Sequence, residues 1–367
     1  MFKDLISKTI IYIQDTYTSK LIFQIIQGLL IFVRDEIKTG PSVPISFIKR
    51  IRMYKNGFLS RSYYLYDFKE NDSKLYLSDL KQKAFTTINK NPDITRNKKL
   101  FHKTMNKCGF ETFKPKIYGE IKDGCWKFYG YDTIYDLLND KNQIVIKPSK
   151  GAKGRDVHLC YWDGKCFLVN GTKTTVTQFK EKIKKESRIN YDCFLIEEFI
   201  HQAKFLSAIY PHSSNTIRII AVNDKDNKIF FPIAVLRIGC KKSGYLDNFS
   251  QGGLSANIDL NNGTIGKAGK VVNSHEVKWY RHHPDTGSLI QGVEIPNWNE
   301  ILNELSDIIC RLPGIEYVGI DLLISESGEL KIIEMNSCPD IDLLQIHKPL
   351  LKNRKLKEFF LKRGVPL

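Results

Sequence analysis

Residues 317–340, YVGIDLLISESGELKIIEMNSCPD, constrain the fold of this chain more than any other stretch. Two apolar runs flank Ser327-Gly328, a residue pair suited to a tight hairpin turn. With those two residues as the loop, Glu326 faces Glu329 and Asp321 lies opposite Glu334. Strand side chains alternate between faces. Asp321, Glu334 and Asn336 therefore share one face, and Ile320, Leu322, Ile333 and Met335 share the other, the face that a core takes. Two carboxylates and an amide oxygen are hard donors of the kind Mg2+ uses beside substrate phosphates. The alternative is the solvated face of an ordinary hairpin.

At 367 residues the chain has room for two or three domains. Its net charge of +16 points to an anionic partner such as nucleic acid, a membrane surface, a nucleotide or an acidic polymer. The absence of zinc-finger spacing and of a sustained arginine run argues against nucleic acid. The eight cysteines are scattered without a CxxC pair. That pattern fits a reducing cytoplasm and no metal-thiolate site. The most apolar run, residues 21–33, falls short of the roughly 20 apolar residues that a membrane span needs. It reads as a buried or partner-facing helix, with a helix lying on a membrane surface as the second reading, helped by the basic residues 49–55.

Residues 1–90 are helical in pattern, with 61–66 either strand or helix. Residues 97–108 form a short basic helix, 113–118 a strand and 131–139 a helix. Residues 143–148, QIVIKP, are a buried strand that leads into a loop containing Gly151 and Gly154. Runs 157–161 and 165–169 pair around Asp163-Gly164. A helix follows over 175–185 and a strand over 191–200. Two long strands, TIRIIAVN and IFFPIAVLRIG, flank residues 224–227, and 247–253 (DNFSQGG) is a polar loop. Helices close the pattern at 299–311 and 352–362. Hairpins mixed with helices indicate an α+β or mixed chain of several lobes, not a doubly wound parallel sheet.

Four further groups carry chemistry. Lys147 ends a buried strand and leads into the glycine loop, whose backbone N–H groups suit an anion; a plain connection is the alternative. Lys98 sits on a basic helix, where a single lysine is usually solvated. Glu197 and Glu198 end an apolar strand, as a solvent edge or as partners for an adenine amine and a ribose. Arg218 and Arg237 lie inside apolar strands, where a guanidinium needs an anion. That anion is either a bound carboxylate or phosphate, or a core acid of the chain itself.

The order NKKLFHK, IVIKPSKGAKG, LIEEFI, SSNTIRII, VLRIG with DNFSQGG, HPDTG, then GIDLLI with KIIEMNSCPD resembles the ATP-grasp superfamily. More narrowly it resembles its sugar-transfer-associated branch, over roughly residues 50–350. The resemblance implies an α+β fold that holds ATP between two lobes with antiparallel sheets, preceded by an N-terminal helical segment. The divisions it implies are 1–90 (helical, basic), 91–140 (start of the core), 141–205 (small lobe with the phosphate loop), 206–350 (large lobe with metal and acceptor site) and 351–367 (basic helix).

On that pattern ATP and Mg2+ are the cofactors. Lys98 and Lys147 contact phosphates, although Lys99 stands beside Lys98. Ser149, Gly151 and Gly154 belong to the closing loop, where Lys150 and Lys153 replace the usual small residues. Glu197, Glu198 and Ile200 lie along adenine and ribose. Asp321, Glu334 and Asn336 hold Mg2+. Arg218, Arg237, Asp247, Asn248, Ser250, Gly252 and Gly253 meet the acceptor, with Arg218, Arg237 and Lys147 catalytic. The implied activity is a carboxylate-amine ligase working through an acyl phosphate. It joins a uronic-acid carboxylate to an amine in bacterial surface-polysaccharide (capsule) biosynthesis, in the cytoplasm or at the inner face of the membrane. A phosphotransferase and a non-enzymatic polyanion adaptor are the other readings.

Overall fold

The computed structural model describes residues 17–82, 88–151, 154–189, 191–224, 228–273, 275–365 and 367. Lys153 of the glycine loop, residues 225–227 of a strand connection and residues 1–16 lie outside the described residues, as do the side chains of 17–25 and 27. The chain forms two compact units. One comprises Met1–Asn89, Val271–Lys278 and Asp340–Leu367, the other Lys90–Lys270 and Trp279–Pro339.

The second unit holds two antiparallel sheets. The first is built from β1 (Ile117–Lys122), β2 (Cys125–Phe128), β3 (Gln143–Pro148), β4 (His158–Trp162), β5 (Phe167–Val169), β6 (Thr172–Thr174) and β7 (Phe194–Glu198), in the order β2-β1-β7-β3-β4-β5-β6. Alternation divides its residues cleanly. Ile144, Ile146, Phe194 and Ile196 join a core with Leu137 and Leu138 of the helix Ile134–Lys141 and with Phe179 and Ile183 of the helix Val176–Ile189. Each such buried side chain contributes about 1.5–3 kcal/mol. Val145, Lys147 and Glu197 face the other way, with Val145 directly across from Glu197.

The second sheet uses β8 (Ile217–Asp224), β9 (Lys228–Phe230), β10 (Ala234–Ile238), β11 (Leu254–Ile258), β12 (Ile265–Val272), followed in the chain by β13 (Glu276–Tyr280), then β14 (Tyr317–Ile324) and β15 (Leu330–Asn336). Its central order is β12-β11-β10-β8-β14-β15, with β9 against β8. Ile217, Ile219, Leu236, Ile320 and Leu322 pack onto Leu305, Ile308 and Ile309 of the helix Trp298–Arg311. The alternate residues Arg218, Arg237 and Asp321 occupy the opposite face.

Several expectations are corrected. The segment IFFPIAVLRIG is two strands, because residues 231–233, which include Pro232, fall outside both ladders and keep only the Ile220 N–H bond to the Ile233 carbonyl. Residues 61–66 contain a short helix, Ser62–Leu65. The strand expected over 113–118 lies further on: a 3-10 turn covers Glu111–Phe113 and β1 runs over Ile117–Lys122. The hairpin tip is longer by one residue than the two-residue turn predicts. Ser325 N–H donates to the Glu329 carbonyl, which leaves Glu326, Ser327 and Gly328 as the loop. The slip is absorbed by a bulge. Leu322 pairs with Ile332, whereas Asp321 pairs with Glu334. The extra residue is Ile333, which joins Glu334 on the face of the acids instead of the core face.

In the first unit, the helix Tyr17–Thr39 packs on the helix Phe47–Lys55 through Phe32 and Tyr54. Glu36 accepts hydrogen bonds from Arg50, Tyr54 and Ser60. Burial is excluded for Ile26, Leu29, Leu30 and Val33, which are exposed. Asp342 accepts from Arg61 and Tyr66, and Gln345 bonds both backbone groups of Leu77.

Asn215 sits at the entrance to β8, fully buried, with its amide satisfied on all sides. It donates to the Leu206 and Tyr210 carbonyls and accepts from Ser213 Oγ and Gly239 N–H. Asn215→Ala is expected to cost about 2–4 kcal/mol, because several buried backbone groups lose their partner at once. The shift of the urea midpoint measures it.

Candidate active site

The exposed face of each sheet in the second unit contributes to one cavity of about 180 Å3. Its walls are apolar near Val145, Leu159, Leu323 and Ile333 and charged near Lys98, Lys147, Glu197, Arg237, Asp321 and Glu334. Apolar walls with a few convergent charged groups suit a ligand that is part ring and part anion.

Strand register builds the charged end. Arg218 on β8 lies across from Asp321 on β14, and Asp321 lies across from Glu334 on β15. Asp321 is held between two guanidiniums. Arg218 bonds both of its oxygens, and Arg237 Nη1 donates to Oδ2 at 2.8 Å. Arg237 Nη2 also reaches Asp247 Oδ1 at 2.7 Å and Asn248 Oδ1 at 2.6 Å. Asp247 in turn accepts from the Thr216 backbone N–H and hydroxyl. Both arginines thus hold acids of the chain itself, the second of the two readings left open above. Burial alone would raise the Asp321 carboxyl, but Arg218 and Arg237 outweigh it and hold Asp321 well below the usual carboxylate range. For Asp247 burial wins over Arg237, and its carboxyl is raised.

Opposite stand two lysines. Lys147 Nζ is 2.7 Å from Glu197 Oε2, and His102 Nε2 is 3.1 Å from Glu197 Oε1. The Glu197 side chain is 1% exposed and committed to these partners, so it anchors Lys147 at the cavity that both line. Burial would raise the Glu197 carboxyl, yet Lys147 and the His102 hydrogen bond bring it down to about 2. Glu198 Oε2 accepts from the Lys116 backbone N–H, and both Glu198 and Ile200 line the cavity. Lys98 Nζ lies 3.7 Å from Glu334 Oε2. Burial and, secondarily, the nearby Lys147 charge lower its pKa, although Glu334 opposes the shift. Lys99 points elsewhere, to Glu120.

Gly151 and Gly154 line the cavity. Gly154 has φ +66, which strains any residue with a Cβ, and a Cβ there would press on Leu246 Cδ1 at 2.9 Å. Ser149 is buried and uses its backbone to tie Lys98 N–H to the strand end. Ser250, Gly252 and Gly253 do not line the cavity. They shape the loop that carries Asp247 and Asn248, with Gly252 at φ +100.

Asn336 Nδ2 donates to Glu334 Oε1 at 3.2 Å. Glu334 and Asn336 offer hard oxygen donors of the kind a small cation uses, beside Asp321, whose two oxygens are already held by guanidiniums. Among the described residues no three His, Cys, Asp or Glu side chains form a metal cage. His102, Arg155, Thr216, Tyr245 and Leu246 complete the surroundings without having been singled out from the sequence. Only His102 carried a signal, one helical turn after Lys98 on the same face.

The family described as sugar-transfer associated ATP-grasp matches residues 82–359 of this chain. No curated protein matches it in sequence. Among solved structures it is similar to D-alanyl-alanine synthetase A from Vibrio cholerae (10% identity, TM-score 0.43, 74% of this chain and 64% of that one). It is also similar to a biotin carboxylase from Campylobacter jejuni (8%, 0.42, 78% and 48%) and to an L-amino acid ligase from Bacillus licheniformis (10%, 0.36, 71% and 42%). This chain spans less than two thirds of the length of each of the three.

Because the folded-state pKa of Glu197 is depressed, the stabilisation it brings is present above its ordinary value near 4.5 and is lost as pH falls toward 2. The loss amounts to about 3 kcal/mol. Melting temperatures recorded between pH 5 and pH 2.5 are expected to fall less steeply for Glu197→Gln than for the native chain.

Proposed function

Because the chain belongs to the sugar-transfer-associated ATP-grasp family, we propose that it joins the carboxylate of an acidic sugar to an amine at the expense of ATP. ATP and Mg2+ are the cofactors of this family, and the chain is an enzyme of ligase type. The observation that carries the reading is the opposition of Lys98 and Lys147 to Asp321 and Glu334 across one cavity, with Arg218 behind Asp321 in register. Phosphoryl transfer asks mostly for positioning and charge neutralisation, and this arrangement supplies both.

In this reading the apolar wall of Val145, Leu159, Leu323 and Ile333 takes the adenine, with Glu198 and Ile200 at its edge. Lys98 and Lys147 neutralise the phosphates, with Gly151 and Gly154 beside them on the cavity wall. Asp321, Glu334 and Asn336 would hold Mg2+, which would supply positive charge beside the transferring group. A sugar carboxylate oxygen attacks the γ-phosphorus and ADP leaves. The resulting acyl phosphate meets an amine nitrogen, the C–N bond forms, phosphate departs and the nitrogen loses a proton. Arg237 and Asn248 stand nearest the carboxylate, Arg218 fixes Asp321, and Asp247 fixes the Arg237 guanidinium. Ser250, Gly252 and Gly253 shape the acceptor side of the loop. Exclusion of water protects the acyl phosphate, which is the use of a closing loop.

A second cleft of about 570 Å3 shares Leu159, Phe199 and Tyr245 with the first and is lined further by Tyr161, Tyr210 and Lys241. Aromatic faces with a polar rim suit a sugar ring, and Lys241 suits its negative charge. This supports a carbohydrate acceptor.

Purified protein with Mg-ATP, a panel of uronic acids and a panel of amines is expected to release ADP and phosphate together with an amide seen by mass spectrometry. A stable phosphoester with ADP alone would make it a phosphotransferase, and no Mg-ATP binding in calorimetry would leave only an adaptor. Glu334→Gln is expected to lower turnover at least about a hundredfold with an unchanged melting temperature. Near-native ATP consumption by that variant would remove the metal assignment. Tyr161→Ala is expected to raise the KM for the sugar about tenfold with the KM for ATP unchanged.

A further inference from the structure

The outer surface of the helix Tyr17–Thr39 presents an apolar stripe that is exposed among the described residues. Ile26, Leu30, Val33 and Ile37 recur at intervals of four, three and four, which places them on one face. The opposite face is the one committed to the body of the unit. Gly28 and Phe32 are buried there, and Glu36 is bound by Arg50, Tyr54 and Ser60. The stripe that ordinarily faces a core is here turned outward. The helix Phe47–Lys55 adds Phe47 and Ile48, and Ile37, Phe47 and Ile48 are 71%, 74% and 73% exposed. More than half of the large apolar side chains exposed among the described residues fall between residues 26 and 51. An exposed patch of that density marks a binding surface.

Charge selects what covers it. Arg34, Lys38, Lys49, Arg52 and Lys55 are exposed on the same two helices. The nearby acids are already engaged, Asp35 by Arg34 and Glu36 by Arg50. A second copy docked face to face would bring like basic side chains together across a two-fold axis. Phosphate headgroups complement them, while the acyl boundary receives the apolar stripe. Among the described residues no helix is long and apolar enough to cross a membrane, so the contact lies in the plane of the interface.

We propose that the face formed by Ile26, Leu30, Val33 and Ile37 with Phe47 and Ile48 docks on an anionic lipid bilayer. The proposal is independent of the ligase reading, since none of these residues belongs to the site described above.

The test is co-sedimentation of the full chain with vesicles of phosphatidylcholine alone and with about a third phosphatidylglycerol, at low and high salt. Binding to the anionic vesicles is expected to exceed binding to the neutral ones at least about tenfold and to weaken with salt. The double variant Leu30→Gln/Ile37→Gln and the triple variant Lys38→Gln/Arg52→Gln/Lys55→Gln are each expected to lose at least about tenfold in binding. Both keep the native melting temperature, because all five side chains are exposed. Undiminished binding by the double variant, or no binding by the native chain, would overturn the proposal. So would a native dimer in solution that the double variant dissociates, which would make a second copy the occupant.

Discussion

The carboxylate of Asp321 between the guanidiniums of Arg218 and Arg237 is the interaction on which the rest of the site depends. A carboxylate this deeply buried is costly unless it is paired, and a buried guanidinium is costly for the same reason. Each strand that supplies one partner therefore constrains the others. β8 brings Arg218, β10 brings Arg237, β14 brings Asp321, and the loop after β10 returns Asp247 and Asn248 to the same guanidinium. Four pieces of chain are fixed to within hydrogen-bond reach by one charge cluster. The sheet supplies the register, while the charges penalise any other register.

A second cluster mirrors the first on the other sheet. Glu197 is fully buried and divides its oxygens between Lys147 and His102. Lys147 is thus held at the cavity by an acid beneath it, and Lys98 stands by the carboxylate of Glu334. Positive groups on one wall and acids on the other are each balanced locally.

The α+β class, the antiparallel pairing and most helices were legible because their periods are strong. Val145, Lys147 and Glu197 fall on one face by simple alternation, as do Arg218, Arg237 and Asp321. What the arginines hold was not legible, since a core acid and a bound ligand ask the same of a guanidinium and only the fold brings Asp321 within reach. His102 was overlooked because a histidine inside a basic helix carries no local signal beyond its spacing from Lys98. The resemblance assigns Ser250, Gly252 and Gly253 to the acceptor, whereas in the fold they shape the loop that carries Asp247 and Asn248, with Gly252 at positive φ. The break at Pro232 divides what hydrophobicity alone reads as one strand, because a missing N–H interrupts the ladder.

The bulge at Ile333 reconciles two anchors that do not share a register. Toward the tip, the hairpin is pinned by the segment after β7, where Ala203 N–H donates to the Ile324 carbonyl and Glu326 N–H donates to the His201 carbonyl. Toward the site, β14 is pinned by β8 through the pairing of Asp321 with Arg218. One spare residue on β15 lets both hold. The joint acts like an expansion gap in a rail: the slip is taken up at one place, and Asp321 stays across from Glu334.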